Sequence, residues 1–132
     1  MRIPYWIQHA DLSADDYGPV DLQEALRAFS AHDWSQEAAE QARLDDAGTE
    51  NCPPGIGFVP GDGRILHICP RPDGDCLVYY HFTARRRILG FIPHSLNAVQ
   101  SRPDFPANHI PELITRFFGN DHDWLLANIR LA

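Results

Sequence analysis

The stretch IGFVPGDGRILHICPRPDGDCLVYYHFTARRRILGFI, residues 56–92, decides the fold. It holds four short apolar segments: IGFV (56–59), RILHI (64–68), CLVYYHF (76–82) and ILGFI (88–92). They are cut apart by PGDG (60–63), PRPDGD (70–75) and TARRR (83–87). Short runs rich in β-branched and aromatic residues, bounded by Gly, Pro and Asp, read as strands joined by turns. The spacing predicts an antiparallel meander with core strands at about 56–59, 64–69, 76–82 and 88–92. Apolar residues occur at both parities of these strands. Both sheet faces are therefore expected to be covered, one by helices and the other by a loop, a helix or a second subunit.

Upstream, RIPYWIQ (2–8) alternates as a fifth strand, which Pro4 confines to an edge or to the strand's start. Residues 9–18 are polar and read as a loop. Asp21 followed by Glu24 forms a capping box, and Leu22, Ala25, Leu26 and Phe29 line one helical face. Ser35 is the expected cap of a second helix that stops at Gly48. Its apolar face is thin, built on Ala38, Ala39 and Ala42, so it should lie on the surface. TENCPPG (49–55) is a rigid connector. Downstream, residues 93–109 read as a loop of about 17 residues, either functional or hiding a short helix around 95–100. Helices follow at 110–118, on Ile110, Leu113, Ile114 and Phe117, and at 121–131, on Trp124, Leu125, Ile129 and Leu131. The expected molecule is a single α+β domain over residues 1–132, with a four- to five-stranded antiparallel meander sheet, two N-terminal helices and two C-terminal ones.

Apolar residues make up 44% and charged residues 22% of the 132, ordinary values for a chain that builds its own core. The net charge of −7 opposes a nucleic-acid or anionic-membrane partner, since phosphate needs a cationic face. Residues 1–50 carry eleven acids and three arginines, a net of −8; residues 51–100 carry three acids and five arginines, a net of +2. No stretch is long and apolar enough to span a membrane. Lysine is absent, which associates with a GC-rich bacterial genome. Three cysteines without an apolar leader read as reduced thiols in the cytoplasm.

His67, Cys69, Cys76 and His81 are the residues whose types suggest zinc. With PRPDGD as the hairpin loop, Cys69 faces Cys76, so His67, Cys69 and Cys76 share a face and His81 lies on the other. That register opposes a four-ligand site, and the compartment opposes a Cys69–Cys76 disulfide. Cys52 has no local base, and His94-Ser95 lacks a nucleophile elbow. His32, Asp33, His122 and Asp123 would form a metal set only if the two terminal regions packed together. Both His32 and His122 open the tripeptide His-Asp-Trp, whose surroundings do not otherwise match. Gly55, Gly57, Gly61 and Gly63 lack the context of a phosphate loop and read as turn glycines. No cofactor motif is present.

Residues 5–29 resemble the opening of a GYF-type peptide-binding module. Tyr5-Trp6 stands for its aromatic pair on a strand, Tyr17-Gly18-Pro19 for its Gly-Pro, and Leu22 to Phe29 for its short helix. The resemblance covers under a fifth of the chain, and neither site nor ligand is carried over from it.

Two surfaces are candidate contacts. Arg85, Arg86 and Arg87 form the one dense positive patch, in the expected third turn. Glu37, Glu40, Asp45 and Asp46 make the second helix acidic. The expected function is a non-catalytic protein-binding module of a bacterial cytoplasm, of the immunity or adaptor kind, with a protein partner and no nucleic acid or membrane. A homodimer through a sheet edge or face is a further expectation. The alternative is a small enzyme or metal-binding protein whose histidines converge only in the fold.

Overall fold

The meander forms the middle of a six-stranded antiparallel sheet. The computed structural model describes residues 1–88 and 92–130, and only the backbone of residues 85–88 and 92–96. The chain runs β1 (Ile3–Gln8), β2 (Ala14–Val20), α1 (Leu22–Ala31), α2 (Trp34–Asp46), β3 (Gly55–Phe58), β4 (Ile65–Pro70), β5 (Asp75–Ile88) and β6 (Ile92–Pro106). A 3-10 turn (Ala107–His109), α3 (Ile110–Phe118) and α4 (His122–Asn128) complete it. The strand order is β2-β1-β3-β4-β5-β6, and every neighbouring pair is antiparallel.

The class is the expected one, but two strands lie where loops were expected. Residues 14–20 fold back on β1 through a turn at Leu12, whose φ is 76°. Tyr17 stacks on Tyr5 with ring centroids 4.7 Å apart. As an edge strand β2 is exposed along most of its length, so its acids cost little and mask its periodicity. Residues 92–106 form β6 at the opposite edge, where Pro93, Pro103 and Pro106 are tolerated because an edge strand has unpaired N–H positions. The expected strand at 88–92 is also revised. Ile88 ends β5, Ile92 begins β6 and the two pair with each other; residues 89–91 lie outside the described residues. TARRR, which holds neither glycine nor proline to break the ladder, continues β5.

The β4–β5 register differs from the expected one by one residue. Its turn is the four residues Arg71 to Gly74, closed by Arg71 N–H to Asp75 O, with Gly74 at φ 93°. Cys69 pairs with Leu77, Pro70 with Cys76, His67 with Tyr79 and Ile65 with His81. A one-residue slip exchanges the faces. Cys76 therefore joins the core, and His81 shares a face with His67 and Cys69.

The core lies on one sheet face. Ile7, Ile56, Phe58, Leu66, Ile68, Val78 and Tyr80 point into it, almost without exposure. Ile110, Leu113, Ile114 and Phe117 of α3, with Leu125 and Ile129, close over them. Burial of each such side chain contributes about 1.5–3 kcal/mol. The capping box forms as the spacing predicts: Glu24 N–H donates to Asp21, and Asp21 N–H to Glu24. Asp33, rather than Ser35, caps α2, accepting from Gln36 N–H at 3.0 Å. Within α2 only Leu44 is buried, as its thin apolar face implies. Asp121 caps α4 with His122 inside the helix, so the two His-Asp-Trp copies occupy different positions around their helix starts.

Candidate functional site

Two places gather chemistry-bearing side chains. The first is where β1 ends. His9, just past β1, His32, which follows the last residue of α1, and Glu37, in the first turn of α2, come together there. His9 Nδ1 lies 2.8 Å from Glu37 Oε1, and His9 Nε2 lies 2.8 Å from Asp15 Oδ2 on β2. His32 Nε2 is 3.5 Å from the same Glu37 Oε1, too far and too poorly aligned to count as a hydrogen bond. Trp34 fixes the His32 ring, meeting it edge-on at 4.4 Å while its own Nε1–H donates to Phe29 O. Hydrogen bonds to Asp15 first and Glu37 second raise the pKa of His9 against the opposing effect of burial. His32 Nε2 and Glu37 Oε2 are buried without a hydrogen-bond partner.

The second place is the sheet face opposite the core. Trp6, Gly57, His67 and Tyr79 stand in register across four strands. Trp6 lies against the β3 backbone, so a Cβ at Gly57 would overlap its ring. His67 meets Trp6 edge-on at 4.8 Å and stacks on Tyr79 at 5.6 Å. Gly55 is close-packed for the same reason, its missing Cβ giving room to Cys69 Sγ and His67 Nε2. Gly55 and Gly57 are thus strand glycines, while Gly61 and Gly63, with φ of 86° and 88°, are the turn glycines expected. Trp6, Gln8, Ile65, Leu77, Tyr79 and His81 all stay partly exposed on this face, and Val99 is 54% exposed. Helices α1, α3 and α4 pack on the core face. The connector lends this second face Cys52 and Pro53, which with His67, Cys69, Leu77 and Tyr79 line a cavity of about 210 Å³.

His67 Nε2 and Cys69 Sγ are 3.2 Å apart, the outline of a nucleophilic pair. Their protonation states defeat it. Burial lowers the His67 pKa to about 4, assisted by His81, and pushes the Cys69 thiol up to about 12. Near neutral pH this is a neutral imidazole beside a neutral thiol, with no thiolate to attack. Cys76 is buried in the core with its thiol raised to about 11, and all three cysteines are free. His67, Cys69, Cys76 and His81 do not share one face, but the residue set apart is Cys76 and not His81, the reverse of what the expected register implied.

The remaining candidates are dispersed. His122 has other partners than His32: its Nδ1 is 2.8 Å from the Tyr80 hydroxyl, and its ring packs on Phe82. Glu37 is turned inward, with its side chain 16% exposed. Glu40 accepts two hydrogen bonds from Arg43, Asp45 accepts from Asn51, and Asp46 is exposed. Arg85, Arg86 and Arg87 lie in β5 opposite Ser95, His94 and Pro93, instead of in a turn. Sequence reasoning missed His9 and Asp15. His9 and Glu37 are separated by 28 positions, and no short motif joins them. Comparison with protein-family models, curated proteins and solved structures finds no match to this chain.

Proposed function

We propose that this protein is a non-catalytic protein-binding module, of the immunity or adaptor kind, whose contact surface is the sheet face opposite the core. The observation that carries this reading is the in-register row Trp6, His67 and Tyr79, continued by partly exposed Ile65, Leu77 and Val99. Aromatic and aliphatic side chains held rigidly on a sheet, with few charges among them, have the composition of an interface centre. The exposed acids of α2 (Glu40, Asp45, Asp46) and the arginines at 85–87 would supply a charged surround that selects the partner. The neutral state of the His67–Cys69 pair weighs against covalent catalysis on this face. Free thiols and a lysine-free composition suit a bacterial cytoplasm. Among the described residues, no helix is long and apolar enough to cross a membrane.

The test is quantitative binding to the purified product of the gene beside its own, comparing wild type with Tyr79→Ala and Val99→Glu. A loss of about tenfold or more in affinity in either variant is expected. Affinity unchanged in both removes this face from the function. Light scattering of the isolated protein separates a heterologous partner from a second copy of the chain: a concentration-dependent dimer abolished by Val99→Glu would assign the face to self-association.

A further inference from the structure

We propose that His9, His32 and Glu37 form a binding site for a divalent transition-metal ion of the zinc type, independent of the sheet-face contact. The three donor atoms all lie within 4.8 Å of one another. A zinc ion bound to imidazole nitrogen and carboxylate oxygen at about 2.0–2.2 Å in tetrahedral geometry sets its donors roughly 3.3 Å apart. Glu37 Oε1 lies 2.8 Å from His9 Nδ1 and 3.5 Å from His32 Nε2, on either side of that value, and side-chain adjustment within the cluster would admit the ion. Two imidazoles and one carboxylate suit zinc and its neighbours, and they disfavour calcium and magnesium, which take oxygen.

Three details favour a ligand set over an ordinary cluster. His32 Nε2 is buried and has no hydrogen-bond partner, a cost that an ion held between it and Glu37 would remove. Asp15 holds the far nitrogen of His9, which aims Nδ1 at Glu37; a carboxylate behind a ligating histidine orients metal sites in this way. Trp34 packs edge-on against the His32 ring at 4.4 Å, which restricts its rotation. The side chains of His9, His32 and Glu37 are 25%, 23% and 16% exposed, so the cluster lies near the surface, where solvent would supply the fourth ligand. The ion would join the end of β1, the α1–α2 corner and α2, which otherwise buries only Leu44.

The test uses the full chain after dialysis against a chelator. Titration with Co²⁺ is expected to give visible absorption that saturates at one equivalent, and Zn²⁺ is expected to displace it and raise the unfolding temperature. His32→Gln and Glu37→Gln should each weaken binding by at least about tenfold, and Asp15→Asn by about 10- to 100-fold through His9. No saturable binding, or full affinity retained in both His32→Gln and Glu37→Gln, overturns the site. Should either variant fail to fold, paramagnetic broadening by Co²⁺ in the wild-type protein decides. Broadening centred on the His9 and His32 rings supports the site, and broadening centred on His67 or elsewhere overturns it.

Discussion

His67 and Cys69 show how burial decides chemistry at the level of one residue pair. Both line the cavity with Tyr79, Leu77 and the connector, Trp6 packs on His67, and His81 adds only repulsion to a protonated His67. The folded protein therefore refuses a proton that the unfolded chain accepts near pH 6.5. Between about pH 6.5 and pH 4 the unfolded state binds more protons, so stability falls as pH falls and the loss is complete below the folded pKa. Water reaching His67 through the open cavity limits the effect to roughly 2–3 kcal/mol. Urea unfolding of wild type and His67→Phe across this window is expected to show the slope in wild type and a shallower one in the variant. Equal slopes would assign the acid sensitivity to other groups. With Cys69 pushed up to about 12, on the order of 10⁻⁴ of it is thiolate at pH 8. Iodoacetamide at that pH should label half-exposed Cys52 first, and Cys69 and Cys76 only on unfolding; mass spectrometry of the modified protein reads the order.

At the scale of elements, β3 and α3 carry the most specific packing. A methyl group at Gly57 must displace the Trp6 indole from the strand it lies on. Gly57→Ala is expected to cost about 2 kcal/mol, as overpacking does. In the double variant Trp6→Ala/Gly57→Ala the two costs should fall short of their sum, because the clash is gone; additive costs would mean that the two residues are not coupled. Arg64, 8% exposed, donates from Nη1 to the Phe117 carbonyl at the end of α3 and lies 4.6 Å over the Phe117 ring. Arg64→Met keeps the apolar stem, loses this hydrogen bond and the ion pair to Asp62, leaves the Phe117 carbonyl with Asn120 N–H, and should lower stability by about 1 kcal/mol in urea unfolding. Elements with a strong period were legible in the sequence: α1 with its capping box, α3 with its apolar stripe, and the strands around 56–82. The edge strands β2 and β6 were not, because an edge exposes its side chains and tolerates acids and prolines, which erases the alternation that marks an inner strand. The β4–β5 register was missed for a narrower reason. PRPDGD offers several turn positions, and only the hydrogen bond from Arg71 N–H to Asp75 O selects the shorter turn. The histidine cluster was illegible because His9, His32 and Glu37 sit at the ends of three elements whose meeting depends on how the α1–α2 corner settles against β1.

Across the whole molecule, stability is unevenly distributed. The sheet's core face, α3 and α4 share one continuous apolar cluster; α1 reaches it through Ala25, Leu26 and Phe29. From α2 only Trp34 touches that cluster, and Leu44 is buried apart from it. Its other ties include Trp34 Nε1–H to Phe29 O and the Glu37–His9 contact at its start, and the contacts of Gln41 and Asp45 with Asn51 towards its end. A helix held by so little apolar area opens without unfolding the sheet. In metal-free protein, amide hydrogen exchange is expected to show Glu37 to Asp46 exchanging through openings several kcal/mol below the global free energy, while Leu113 to Phe118 and the amides of β4 exchange near it. Uniform protection would mean that α2 unfolds only with the whole domain. Zn²⁺ should slow exchange in α2 and leave α3 little changed, since the proposed ligands His32 and Glu37 bracket the start of α2 while His9 belongs to the sheet. Global and local stability thus separate in this fold: the sheet and α3 hold the domain together, and the charge-bearing α2 is anchored through a few polar contacts at its first turn.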